Sequence, residues 1–231
     1  MITSPASAAI TYTGGHADVG VNYDEGQWEF HFHAEGADID GLHDVHGEFA
    51  PDEIVIRVPN HALGLCPAGA QWNFLGVAAG QPLWSLPQHA HDHGQDDDDD
   101  HDMPFLGIGA EELAAGIFVN DQVTLTLAAV VGPGHFSLWQ TDSFGDPVVY
   151  MSTADPDSTV PLLLTAGAHG HFNWGFTAEG VYEITVLAEG RSADGSLTSG
   201  LATYTFHVVP EPATLFLLAL GVSLAGRRRA R

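Results

Sequence analysis

Lysine is missing from all 231 residues, and four of the six arginines, Arg227, Arg228, Arg229 and Arg231, crowd into the last five positions. Only Arg57 and Arg191 serve the rest of the chain, so there is no basic patch for phosphate, and nucleic acid is excluded as a partner. Cysteine is as scarce. Cys66 stands alone, which rules out an intrachain disulfide. Between Leu65 and Pro67, with no activating motif, it reads as a small buried hydrophobe. The Gly-x-Ser-x-Gly, His-Glu-x-x-His, P-loop and dinucleotide fingerprints are also absent, and no catalytic constellation shows in the spacing. The chain is therefore read as a non-enzyme.

What is present is negative charge and imidazole. Thirty Asp and Glu against six Arg give a formal net charge of −24, and removing the four terminal arginines takes it to −28. A body so acidic attracts cations, and 14 histidines supply ligands for borderline metals.

The C-terminal residues 209–231 fall into three zones. Val209-Pro210-Glu211-Pro212 cannot continue a strand or helix. The apolar run Ala213 to Gly226 follows, about 21 Å long as a helix and short of a bilayer core of about 30 Å, a gap that arginine snorkelling or membrane thinning would close. The arginines close the chain and place its end on the cytoplasmic side, with the body outside. Pro210-Glu211-Pro212, the apolar stretch and Arg227, Arg228 and Arg229 together resemble the PEP-CTERM sorting signal of Gram-negative bacteria. That resemblance implies an exported, envelope-anchored protein processed by an exosortase and held in the membrane by a C-terminal hydrophobic helix. At the other end Ala6-x-Ala8 suits a signal-peptide cleavage site, although Met1 to Pro5 lack basic and apolar regions. Residues 1–9 are therefore expected to be the remainder of a signal peptide whose start lies upstream.

Between Ile10 and Val208 short alternating runs separated by Gly, Pro, Asp and Asn argue for strands, among them Trp28 to His33, Ile54 to Val58, Val123 to Ala128, Tyr182 to Val186 and Thr203 to Val208. Only Ala110 to Ile117, with Glu111-Glu112-Leu113, looks like a short helix. The expectation is an all-β domain over 10–208, a β-sandwich of immunoglobulin-like character, in which Tyr182 hydrogen-bonds back across a corner. Residues 88–103 depart from it. His89, His91, His93 and His101 flank five consecutive aspartates, a composition suited to an accessory, metal-gathering loop.

Histidines elsewhere come in pairs at strand spacing, His31-x-His33 and His169-x-His171, with His16-x-Asp18 related to them. Residues i and i+2 share a strand face, so each pair offers two ligands side by side. His31 and His33 lie opposite Trp28, Phe30 and Phe32, which makes one face of that strand aromatic and the other imidazole. Such pairs on adjacent strands can close a divalent-metal site; zinc suits imidazole best, and the carboxylates leave manganese or calcium open.

Three stretches carry a second resemblance: Gly15 to Val21 leading into Trp28 to His33; Gly134 to Asp142 with Ser152 to Asp155; and His169-Gly170-His171-Phe172-Asn173-Trp174-Gly175-Phe176-Thr177 before Gly180-Val181-Tyr182. Together they look like the choice-of-anchor M domain, an ectodomain found with different anchoring tails and often beside metal-uptake transporters. The resemblance implies metal handling, with His16, Asp18, His31, His33, His135, His169 and His171 as the site and a metal-uptake system as a partner. The alternative is a structural or adhesive surface protein, associated with exopolysaccharide or biofilm, whose histidines only pack.

Overall fold

The computed structural model describes residues 9–90 and 103–209. At 62% strand against 6% helix, it bears out the all-β class. The strands are β1 (Ile10–Asp24), β2 (Gln27–Ile39), β3 (Leu42–Phe49), β4 (Ile54–Val58), β5 (Leu63–Leu65), β6 (Pro82–Leu86), β7 (Pro104–Gly109) and β8 (Phe118–Val131). They continue with β9 (Phe136–Thr141), β10 (Pro147–Ser152), β11 (Leu162–Thr165), β12 (His169–His171), β13 (Asn173–Phe176), β14 (Gly180–Ser192) and β15 (Leu197–Val208).

Two sheets result. One runs β11-β8-β14-β15-β4-β1-β2-β3, with β7 branching from β1 and carrying β12; the other runs β10-β9-β13-β6-β5. The sheets curl into a half-barrel. The cause lies in β1. Its first residues pair in parallel with β4, Ile10 opposite Ile54, and from Gly15 to Gly20 it pairs in parallel with β7. One long strand thus serves two partners in succession, and the sheet forks there.

The core lies between the sheets. Trp174 and Phe176 from the smaller sheet each approach Phe206 of the larger one at a ring-centroid separation of 5.3 Å. Trp174 also donates its indole N–H to the Leu106 carbonyl at 2.9 Å, tying β13 to β7. Tyr182 makes the expected corner: its hydroxyl donates to the Ala178 carbonyl at 2.9 Å and accepts from the Ala178 N–H at 3.2 Å. Cys66 is buried, and burial raises its thiol pKa.

The helix expected at Ala110 to Ile117 is instead a run of turns. Ala110 donates to the Ala168 carbonyl at 2.9 Å and accepts from the Gly167 N–H at 2.8 Å, and the single turn that follows, Leu113 N–H to the Ala110 carbonyl at 3.2 Å, is not continued into a helical ladder. Gly116, at φ +87, then breaks the segment. The described helical residues are three short 3-10 segments, Asn60–Ala62, Ala70–Leu75 and Pro156–Ser158. Among the described residues no helix is long and apolar enough to cross a membrane. The expected C-terminal helix, with Pro210, Glu211, Pro212 and Arg227 to Arg229, lies outside them, as do residues 1–8 and His91, His93 and His101.

Candidate metal centre

Strand alternation alone would not bring His16 and Asp18 to one face with the other pairs, because β1 starts in the other phase, with Tyr12 in the core. Register breaks correct this. An extra residue between Tyr12 and Gly14 shifts β1, and another between Ala37 and Ala34 shifts β2. Beyond the breaks Ala17, Val19, Val21, Phe32 and Ala34 face the core, and His16, Asp18, Gly20, His31 and His33 face the other way. Gly15 takes φ +74 at this point, and a Cβ on it would meet the Gly36 carbonyl at 2.2 Å, so glycine is required.

The cross-strand register then assembles the site. His33 lies opposite Asp18, Asp18 opposite Gly107, and Gly107 opposite His171. Two residues along, His31 lies opposite Gly20, Gly20 opposite Gly109, and Gly109 opposite His169. β7 shows Leu106 and Ile108 to the core and two bare glycines to the site. A Cβ on Gly107 would fall 2.0 Å from Asp18 Oδ1 and 3.1 Å from His171 Cε1. The glycines form a floor over which β1 and β12, two strand spacings or about 10 Å apart, bring their side chains together.

His16, His169 and His171 each offer a ring nitrogen, and these lie within 4.8 Å of one another. Two nitrogens on one tetrahedral zinc ion, each about 2.0 Å from it, are roughly 3.3 Å apart, a difference within the reach of side-chain rotation. His169 Nδ1 is 2.6 Å from Glu111 Oε1, which leaves Nε2 for a ligand. His16 Nδ1 is 3.5 Å from Glu35 Oε2, and its Nε2 is 3.4 Å from Asp18 Oδ2. A carboxylate on the far nitrogen is the usual way a metal-binding imidazole is oriented. Phe105 stacks on the His171 ring at 3.8 Å.

Three polar atoms here are buried without a hydrogen-bond partner: His16 Nε2, Asp18 Oδ1 and His171 Nδ1. Buried polar groups are nearly always paired, so three orphans in one cluster call for a shared partner. Burial raises the Asp18 pKa, against the pull of His16 and His169. Burial, together with His16, His169 and His89, pushes His171 down to about 4, so its ring is neutral at pH 7 and free to coordinate.

Next to this group His31 and His33 meet Glu112, again with one ligand atom each within 4.8 Å. Asp18, His31, His33, Glu111 and Glu112 line one cleft.

The structure reaches the tail's border at β15, whose last residue, Val208, pairs with Val58 and Gly180. Residues 208–230 match the PEP-CTERM protein-sorting motif. No curated protein and no solved structure matches the chain. The PEP-CTERM motif marks the chain for export, exosortase processing and anchoring at the cell surface or membrane through its C-terminus. It begins where the last strand of the body ends.

Of the seven residues expected to form the site, six gather on the one sheet face. His135 does not: it lies beside the smaller sheet, its Nδ1 3.3 Å from Thr153 Oγ1 and its backbone N–H donating to Thr177 Oγ1 at 2.7 Å. His89 is close enough for its charge to act on His171. Sequence reasoning missed Glu111 and Glu112, placed in the supposed helix, and the glycine floor. Gly107-x-Gly109 between core residues was the available signal, since glycines at alternate strand positions mark a bare face.

Proposed function

We propose that the chain is a non-enzymatic, envelope-displayed protein that binds a divalent metal, with zinc favoured, through His16, His169, His171 and the Asp18 carboxylate. The orphaned trio His16 Nε2, Asp18 Oδ1 and His171 Nδ1 carries this reading, because a cation held by His16, His169 and His171 beside Asp18 would give buried polar atoms the partner they lack. Three imidazoles and one carboxylate are a donor set zinc accepts in tetrahedral geometry. A net charge of −24 raises the local cation concentration around the site. A body of the choice-of-anchor M kind, a metal-uptake system as partner and an accessory gathering role for the 88–103 segment all fit this reading. So does a sorted C-terminus.

Zinc titration of the full chain in detergent by calorimetry tests the reading. Replacing His169 and His171 with Ala is expected to weaken the tightest binding event at least a hundredfold. A tight event that survives both substitutions rejects the site. A melting temperature unmoved by chelator and by added zinc favours instead the structural or adhesive protein whose histidines only pack.

A further inference from the structure

The cluster at His31, His33 and Glu112 is a separate donor set. His31 Nε2 lies 3.8 Å from Glu112 Oε2, and Gly20 makes room for that ring, since a Cβ there would fall 2.0 Å from the same nitrogen. Asp18 stands between the two sets. It lines the cleft with His31, His33 and Glu112, while its Oδ2 is 3.4 Å from His16 Nε2 in the first set. Its side chain is 3% exposed, and Oδ1 has no partner. Two dications close together repel unless anionic ligands lie between and around them, and Asp18, Glu111 and Glu112 are placed to do so.

From this geometry we propose that His31, His33 and Glu112 form a second divalent-cation site, and that the chain holds two cations side by side with the Asp18 carboxylate shared between them. This rests on the reading of the first site given above. Two imidazoles and a carboxylate that is more exposed make the second site the weaker one, and carboxylate ligation admits manganese as well as zinc.

The test is equilibrium dialysis of the full chain against zinc chloride, with bound zinc counted by elemental analysis. His91, His93 and His101 are replaced by Ala throughout so that they contribute no ligands. The expected count is two per chain, with affinities at least tenfold apart. His31→Ala with His33→Ala should leave one tight zinc, and His169→Ala with His171→Ala one weak zinc. Glu112→Gln, a change of similar shape on an exposed turn, should weaken only the second zinc, about tenfold or more, and guards against misfolding of the histidine variants. A single zinc lost with His169 and His171 but indifferent to His31, His33 and Glu112 overturns the second site and leaves the first. A single zinc with the opposite dependence overturns the first site, and with it the shared carboxylate. No zinc bound at all overturns both.

Discussion

Replacing Asp18 with Asn should move the protein in opposite directions depending on whether metal is present. Asp18 is 2% exposed, with Oδ1 unpartnered and Oδ2 at 3.4 Å from His16 Nε2. Without metal this is a buried anion poorly compensated by hydrogen bonds, a situation that costs about 1–3 kcal/mol. Asparagine keeps the shape, removes the charge and presents an amide N–H to the His16 nitrogen. For a domain of this size each kcal/mol is worth about 2–4 °C, so the metal-free Asp18→Asn chain should melt about 2–12 °C above the parent. With zinc about a thousandfold above its dissociation constant, the parent gains about 4 kcal/mol, or roughly 8–16 °C. The variant, lacking the anionic ligand, should gain less than about a quarter of that. Thermal melts of both proteins, with chelator and with zinc, measure the four values. A metal-free variant less stable than the parent, or an undiminished zinc shift, would refute the assignment of Asp18 as a ligand held in place at the expense of stability.

The glycine floor predicts that Gly107→Ala, whose Cβ would sit 2.0 Å from Asp18 Oδ1, weakens zinc binding about tenfold to a hundredfold in calorimetry and costs about 1–3 kcal/mol of stability; unchanged affinity would show that the floor is dispensable. His135→Ala should leave zinc affinity within about twofold of the parent, since the residue faces Thr153 and not the site. In metal-free protein the His171 pKa, lowered to about 4 from an ordinary 6.5, means that the unfolded chain takes a proton the folded one refuses. Stability present above about pH 6.5 is therefore lost as pH falls toward 4. The raised Asp18 pKa acts oppositely, because the folded carboxyl takes its proton first on acidification. Denaturant melts between pH 7 and 4 should accordingly fall more steeply in Asp18→Asn than in the parent; equal slopes would contradict the Asp18 shift, and no loss of stability on acidification in Asp18→Asn would contradict that of His171.

Much of the site was legible because strand alternation is a local property. His31 and His33, and His169 and His171, sit side by side on one face as their spacing requires. The His169 to Phe176 element makes structural sense as well. Its histidines face the site from β12, and then the chain crosses to the other sheet, where Trp174 and Phe176 enter the core. The pairing of distant strands was not legible. Neither the register breaks in β1 and β2 nor the parallel attachment of β1 to β4 and β7 leaves a local signature, and these fork the larger sheet at β1. Glu111 and Glu112 were misread for a similar reason. Their segment has helical composition, but hydrogen bonds with Ala168 and Gly167 tie Ala110 to a distant segment, and the one turn from Ala110 to Leu113 is not continued before Gly116. His135 rested on resemblance alone, with no partner at i+2 to fix its face.

The attachment of β12 across β7 to β1 has a consequence for biogenesis. His16 belongs to the first strand of the body and His169 to the twelfth, so about two thirds of the chain must be closed into a loop before the two imidazoles meet. A partly folded chain carries every ligand but has no centre. On the proposed reading, metal retention would therefore report that β1, β7 and β12 have come together, and chains in which they have not should fail to retain zinc.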